Sequence, residues 1–160
     1  MKHSRIFISI LIVFISGFAV ASLFDSHSDF YKKYESVKYG FIPYYSTIDK
    51  KCSAKDRETA METVSLAGEI MTDISSSVPD GAGELKIYSL REAKAERVDA
   101  KINLITASFT FSNGYMWVEY TQEVFDGDDE KIDEKTRLAY WKLKKTDGQW
   151  TVTRIKEVEV

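Results

Sequence analysis

Apolar residues recur at helical spacing over residues 54–76. Their separations of three and four positions place them on one face of an α-helix. The positions are Ala60, Val64, Ala67, Met71 and Ile74. Ser53 can cap the N-terminus of this helix, and the run Pro79-Asp80-Gly81 marks a turn after it. The pattern therefore predicts one amphipathic helix whose apolar face belongs to the core.

From residue 84 onwards, apolar and polar residues alternate, which is typical of half-buried β-strands. The predicted strands cover residues 85–90, 98–111, 115–125, 133–145 and 150–158. Asn113-Gly114 and Asp147-Gly148 are dipeptides that favour two-residue hairpin turns. We therefore expect an α+β fold, in which the long helix packs on a curved meander of antiparallel strands.

The alternation in the longest predicted strand changes phase at Leu104-Ile105. Apolar side chains occupy even positions before this point and odd positions after it. The residues are Val98, Ala100, Ile102 and Leu104, then Ile105, Ala107, Phe109 and Phe111. Because strand side chains alternate with a period of two, this change would turn the core face to solvent unless one extra residue is accommodated. It predicts a β-bulge or sharp bend.

The first 24 residues have the layout of a targeting segment. Lys2 and Arg5 precede an almost wholly apolar run from Ile6 to Phe18. Ala19-Val20-Ala21 follows, with small residues at the two positions that signal peptidase reads. The pattern predicts a signal peptide over residues 1–21 that directs the rest of the chain to the periplasm or the cell exterior.

An uncleaved membrane anchor over residues 6–24 is the alternative. Nineteen uncharged residues would form a helix about 28 Å long, which is barely enough to span a bilayer. The rest of the chain would lie outside the cytoplasm in this case too. Residues 22–52 are then expected to form short helices that cover the core, one of them near 27–38, and residues 53–160 the α+β domain.

The charge of the chain excludes one class of partner. The sequence carries a formal charge of −3, and the targeting segment contributes two basic residues and no acid, so the remainder holds 20 basic and 25 acidic residues. A nucleic-acid partner would require a basic face. We therefore expect no nucleic-acid binding, and membrane contact only through the N-terminal segment.

Groups that usually carry catalysis are scarce. His27 is the one histidine outside the targeting segment, and the predicted strands contain none, which removes the usual general base and most metal sites. The acidic loop 126–130 lacks the spacing of an EF-hand calcium loop. The single cysteine, Cys52, cannot form an intramolecular disulfide. We predict no catalytic residue, cofactor or metal.

Two tyrosines are the best candidates for contact with a ligand. The strand carboxylates Asp99, Glu119 and Glu123 lie on faces opposite the apolar ones and are predicted to face solvent. Tyr120 and Tyr140 lie on apolar faces, where their hydroxyl groups could bind a ligand or complete a core hydrogen bond. The candidate pocket residues are Met116, Val118, Tyr120, Leu138 and Tyr140.

The run Tyr140–Val152, which reads YWKLKKTDGQWTV, resembles the closing hairpin of NTF2-like (cystatin-like) domains. Those hairpins often contain W-x-L, an Asp-Gly turn, a second Trp and a β-branched residue. The order of one long helix before bent antiparallel strands is also similar. The resemblance implies a cone-shaped half-barrel whose sheet wraps the helix and can enclose a pocket. The family includes isomerases, dehydratases, ligand binders and non-catalytic assembly modules, so the fold alone does not choose a function.

Three functions stay open on the sequence. The first is an exported, non-enzymatic NTF2-like domain that binds a partner protein or a small apolar ligand. The second is an NTF2-like lyase or isomerase that uses a buried carboxylate with Tyr120 or Tyr140. The third is a structural or inhibitory periplasmic protein whose sheet face docks another chain. The missing catalytic groups favour the first.

Overall fold

The computed structural model describes residue 41 and residues 44–75, 77–89 and 94–160. Within these residues, helix α1 precedes four strands, and two short 3-10 helices flank α1. The bounds are Tyr45–Thr47 (first 3-10 helix), Ala54–Thr72 (α1), Gly83–Ser89 (second 3-10 helix), Arg97–Phe109 (β1), Asn113–Phe125 (β2), Lys131–Thr146 (β3) and Gln149–Glu159 (β4). The strands form one antiparallel sheet in the order β1-β2-β3-β4. One helix on a curved, unclosed antiparallel sheet confirms the α+β prediction.

Helix α1 begins where its capping residue predicts. The Ser53 side chain accepts a hydrogen bond from the Asp56 backbone N–H at 3.0 Å, which satisfies one of the free donors of the first turn. The buried face consists of Ala60, Thr63, Val64, Ala67, Ile70 and Met71. The helix ends at Thr72, so Ile74 lies beyond it and is 52% exposed. The predicted helix is confirmed, with an end four residues earlier.

The predicted bulge in β1 is confirmed. The pairing register between β1 and β2 shifts between Leu104 and Thr106, which leaves Ile105 as the extra residue. Leu104 and Ala107 can therefore both join the core against α1. Thr106 lies on the opposite face, where its hydroxyl group donates to the Lys50 carbonyl oxygen at 2.5 Å. Further register shifts in the other two strand pairs bend the sheet in the same manner.

The first predicted strand, residues 85–90, is wrong. Its described part lies in the 3-10 helix Gly83–Ser89. Leu85 and Tyr88 are buried three residues apart, as expected for three residues per turn, while Ile87 is exposed. The alternation of Leu85 with Ile87 was one apolar pair, too short to distinguish a strand from a 3-10 turn.

The two hairpin signals have different outcomes. Asp147-Gly148 forms the turn between β3 and β4, with φ angles of +52° and +86°, as a type I′ turn requires. Asn113-Gly114 does not form the other turn, because β2 already begins at Asn113. The chain reverses through residues 110–112, and the Thr110 N–H donates to the Asn113 carbonyl oxygen at 2.8 Å.

Gly114 serves close packing instead of a turn. Its pairing partner across the hairpin is Phe109, and a Cβ atom on Gly114 would overlap the Phe109 ring. Phe111, which the alternation assigned to the core face of the strand, lies at the hairpin tip and is fully exposed. The hairpin was therefore predicted, but its turn was placed three residues too late.

The sheet is buried on both faces. The helix-facing side packs on α1 and the second 3-10 helix and carries the main core. The opposite side, here called the far face, packs on residue 41 and residues 44–50. The Phe41 and Trp117 rings meet edge to face at 4.8 Å, and the Trp117 indole N–H donates to the Thr47 hydroxyl at 2.9 Å. Tyr44 stacks on Tyr140 at 4.3 Å. Residue 41 and residues 44–50 therefore belong to the same packed unit as the strands.

The predicted signal peptide (1–21), the alternative anchor (6–24) and the short helix near 27–38 lie outside the described residues. Within the part that is described, no helix is both long and apolar enough to cross a membrane.

Candidate functional site

The five predicted pocket residues lie on two different faces of the sheet. Met116, Val118 and Tyr120 belong to the core on the helix-facing side, and Met116 and Val118 have no exposed surface. Leu138 and Tyr140 point to the far face, since they alternate with Ala139 and Trp141 of that core. The structure therefore brings three of the five together and separates the other two from them.

Tyr140 lies in a stack of aromatic rings on the far face. Its ring is 4.3 Å from that of Tyr44, 6.1 Å from that of Tyr115 and 5.1 Å from that of Trp117. Burial, together with the neighbouring phenol groups, raises the pKa of Tyr140 to about 12. The hydroxyl group therefore stays protonated at physiological pH, and the stack joins residues 44–50 to the sheet through Tyr44.

Tyr120 belongs to a polar cluster that the sequence did not reveal. Its hydroxyl group donates to Glu157 Oε2 at 2.8 Å, and the Tyr88 hydroxyl donates to the same oxygen at 3.1 Å. The Arg137 guanidinium lies 3.3 Å from Glu157 Oε1. The Trp141 indole N–H donates to the Tyr88 oxygen at 3.1 Å. These five residues are here called the Glu157 cluster.

The cluster contains a carboxylate that points towards the core side of the sheet. Glu157 pairs with Ala139 across β3 and β4, which gives it the same orientation as the buried face of β3. Burial is the main cause that raises the pKa of both Tyr88 and Tyr120, and the nearby Glu157 charge adds to it. Both phenols thus remain hydrogen-bond donors to the carboxylate. One weak signal for this position is present in the sequence: Glu157 lies two residues after the apolar Ile155, so both side chains share one face of the strand.

A cleft of about 560 Å³ opens beside the N-terminal half of α1. The β1–β2 hairpin and the end of β3 form its other walls. Three aromatic rings line it, from Phe109, Phe111 and Trp150, together with the side chains of Lys55 and Lys145. The Phe109 and Trp150 rings contact each other at 4.8 Å, and the Lys145 ammonium lies 5.7 Å from the centre of the Trp150 ring. The cleft therefore offers an apolar floor with positive charge at its rim.

The acidic side chain of this cleft has hydrogen-bond partners, whereas its two basic side chains have no ionic partner among the described residues. Asp56 already accepts two hydrogen bonds, from the Phe109 backbone N–H at 3.1 Å and from the Ser53 hydroxyl at 2.7 Å. Lys55 and Lys145 form no ion pair with another described residue. The cleft therefore has two cations available to an incoming anion.

A second cleft, of about 280 Å³, continues along the same side of α1 and shares Trp150 with the first. Its helix wall carries Glu62 and Leu66, and its opposite wall carries Asp80 and the turn residue Gly148. The two clefts together are here called the α1 groove. The groove is basic and aromatic at one end and acidic at the other.

The acidic loop is held by its own backbone. Asp126 Oδ1 accepts the Asp128 and Glu130 N–H groups at 3.1 and 3.0 Å, and Asp129 is paired with Arg97. Within the described ranges, no group of three or more His, Cys, Asp or Glu side chains is placed to hold a metal ion.

Comparison with known proteins assigns no family. No family model and no curated protein matches the chain. Among solved structures, the intermembrane space region of the chloroplast protein ARC6 is similar, with a TM-score of 0.43 and 16% identity. The match covers 69% of this chain and 100% of that one. At these values the likeness identifies neither a family nor a function.

Proposed function

We propose that this chain is an exported, non-enzymatic NTF2-like domain that binds a partner protein in the α1 groove. The observation that carries the proposal is the aromatic cleft with the fully exposed Phe111 at its edge. A single exposed apolar residue is ordinary on a protein surface, but contiguous rings around a concave site are typical of binding surfaces. Removing this surface from water on binding would be favourable.

The β1–β2 hairpin, which forms one wall of the cleft, is fixed to the rest of the fold although Phe111 at its tip is exposed. The Asp56 carboxylate accepts the Phe109 N–H, which ties the hairpin to the first turn of α1. Gly114 leaves room for the Phe109 ring, whose atoms a Cβ at this position would overlap. The tip is thereby held in place while Phe111 points outwards. Because the hairpin backbone is already ordered, a partner that covers Phe111 does not have to order it on binding.

The fold supports the NTF2-like part of the proposal. A helix on a curved, unclosed antiparallel sheet is the arrangement that the resemblance implies, and the Asp147-Gly148 turn stands where the closing hairpin requires it. Export rests on the charged start, the apolar run and the small residues of the first 24 positions. An anchored form would present the same groove outside the cytoplasm.

A lyase or isomerase is the second candidate. It requires a carboxylate on the core side of the sheet, and Glu157 meets that requirement together with Tyr88 and Tyr120. The cluster is less suited to proton abstraction, because Glu157 already accepts bonds from two phenols and Arg137. A general base needs an oxygen free to reach the proton that it removes. This arrangement favours a structural role, in which the cluster holds the second 3-10 helix against the sheet.

Position-specific cross-linking tests the binding proposal. The photoreactive residue benzoylphenylalanine would replace Phe111 in the full chain produced in cells, and Ile132, an exposed residue at the start of β3, would serve as control. We expect one discrete cross-linked protein from position 111 and none from position 132. The product should disappear when Lys145→Glu is added and persist with Lys144→Glu. Equal products from both positions, or none from position 111, would contradict the proposal.

A further inference from the structure

The charges along the α1 groove point to a particular kind of partner segment. We infer that the groove holds an extended peptide that carries an acidic residue next to an apolar residue, with a basic residue about three positions away. This inference rests on the proposed function and adds the chemistry of the partner to it. Three observations carry it: the unpaired lysines, the ring floor and the acidic second cleft.

The lysines select the acidic residue. Lys55 and Lys145 flank the first cleft from α1 and from β3, and neither has an ionic partner among the described residues. The one carboxylate of that cleft, Asp56, is occupied by Ser53 and by the hairpin backbone. A carboxylate that enters from a partner would therefore meet two cations and one already satisfied anion. Such complementarity fixes the orientation of a bound chain.

The rings select the apolar residue. Phe109 and Trp150 form a continuous apolar surface between the lysines, and Phe111 stands beside it with its whole side chain in water. A leucine or phenylalanine next to the acidic residue would cover these rings. Burial of apolar surface is the main favourable term in most protein associations, so this contact would add affinity to the orientation that the lysines provide.

The second cleft selects the basic residue and sets the spacing. Glu62 lines it from α1 and Asp80 from the segment that follows α1, and both carry a carboxylate. Lys55 and Glu62 are seven residues apart on α1, which corresponds to about 10 Å at 1.5 Å per residue. An extended chain advances about 3.3 Å per residue. A lysine or arginine about three positions from the acidic residue would therefore reach the second cleft.

The same charges disfavour two other occupants. An anionic membrane surface would be attracted by Lys55 and Lys145 but repelled by Glu62 and Asp80 in the adjoining cleft. A small aromatic acid could fill the first cleft but would leave the acidic second cleft without a counter-ion. Only a segment that spans both clefts uses both sets of charges.

Synthetic peptides test the inference on the full chain. A capped, fluorescent peptide with Asp-Leu at one end and Lys three positions after the Asp, and its reversed sequence, would be titrated and followed by anisotropy. We expect one of the two to bind at least tenfold more tightly than the same peptide with Asp and Lys exchanged. Lys145→Glu should weaken that binding at least tenfold, and Lys144→Glu, its neighbour on the other face of β3, should leave it unchanged.

The decisive variant reverses both ends of the groove. In Glu62→Lys/Lys145→Glu, the preference should invert, so that the exchanged peptide binds more tightly. Equal binding of both peptides by both proteins would overturn the peptide chemistry, as would equally tight binding of a free aromatic acid such as phenylacetate. Sedimentation with phosphatidylglycerol vesicles that depends on Phe111 would overturn it in favour of a membrane.

The two proposals fail in distinguishable ways. A position-specific cross-link from residue 111 together with indifferent peptides would leave the binding function standing and remove only the proposed partner chemistry. No cross-link together with charge-independent peptide binding would remove both. Charge-dependent peptide binding without a cellular cross-link would support the groove chemistry and contradict its use by a protein in the cells tested.

Discussion

The Glu157 cluster and the α1 groove combine the same kinds of side chain, aromatic rings with charged groups, in opposite states. In the cluster, the carboxylate accepts two phenol protons and an arginine contact, and the rings are largely covered. In the groove, the lysines have no described counter-ion and Phe111 is wholly in water. The polar groups of the Glu157 cluster are paired within the chain, whereas the lysines and the exposed ring of the α1 groove are available to a partner.

This difference assigns the Glu157 cluster to stability and the α1 groove to binding. Buried polar groups that are fully paired hold elements together, and they are costly to disturb. Exposed rings and unpaired surface charges contribute little to folding, so a chain that keeps them in one place gains by binding. Substitutions in the cluster should therefore change the free energy of unfolding, and substitutions in the groove should change affinity.

The largest expected effect is that of Glu157→Ala on stability. The substitution leaves the Tyr88 and Tyr120 hydroxyls and Arg137 without their acceptor in a half-buried site. We expect a loss of about 3 kcal/mol in the free energy of unfolding, measured with urea. Glu159→Gln, on an exposed position of the same strand, is the matched control and should change it by less than about 0.5 kcal/mol. Equal losses of unfolding free energy in the two variants would mean that the Glu157 cluster does not stabilise the fold.

Gly114→Ala should have the next largest effect. The new methyl group would overlap the Phe109 ring, which also contacts the Trp150 ring, so the overlap disturbs a packed pair of rings. We expect a loss of about 2 kcal/mol, a typical cost of overpacking. The double variant Phe109→Ala/Gly114→Ala should lose less than the sum of the two single variants. Strict additivity would show that the cost of the new methyl group does not come from its overlap with the Phe109 ring.

Alkaline pH should weaken the cluster gradually. Burial raises the pKa of Tyr88 and Tyr120 above the ordinary value of 10.0, so the unfolded chain releases these protons at lower pH than the folded one. Their contribution to stability is complete below pH 10 and falls as pH rises further. The slope is at most about 1.4 kcal/mol per pH unit for each tyrosine. Urea unfolding at about pH 9 and about pH 11 should show a smaller decrease in Tyr88→Phe than in the unmodified chain.

Phe111→Ser should have the smallest effect on stability. The side chain contacts solvent on all sides, so the free energy of unfolding should stay within about 0.5 kcal/mol. Peptide affinity should nevertheless fall at least tenfold. Ile132→Ser, which removes another exposed apolar side chain far along the sheet, should leave affinity unchanged. A marked loss of stability in Phe111→Ser would place Phe111 in the core and contradict the comparison.

The sequence predicted the elements that depend on local periodicity. Helix α1 follows from apolar spacing and the Ser53 cap, and the bulge at Leu104 follows from the change of phase. Asp147-Gly148 was correct because an open turn lets the dipeptide adopt its preferred angles. The turn prediction at Asn113-Gly114 was wrong because this glycine is needed to leave space for the Phe109 ring on the paired strand, not to form a turn.

The candidate sites depend on the pairing register of the strands, which the alternation of apolar and polar residues does not predict. Tyr88 and Tyr120 meet Glu157 only because three strands and a 3-10 helix converge there, and the alternation around Tyr88 predicts a strand where the structure has the 3-10 helix. Phe111 was assigned to the core because the strand was extended past its true end. The groove needed the relative placement of α1 and the last hairpin, which no single segment encodes.

The three tryptophans offer the most direct test that binding takes place in the groove. The Trp141 indole donates to Tyr88 in the Glu157 cluster, the Trp117 indole donates to Thr47 on the far face, and Trp150 lines the groove. Each side of the domain thus has its own indole N–H resonance in a nitrogen–proton correlation spectrum. On addition of the acidic–apolar peptide, we predict a shift of the Trp150 resonance with those of Trp141 and Trp117 unchanged. A shift of Trp141 or Trp117 while Trp150 stays in place would contradict the account.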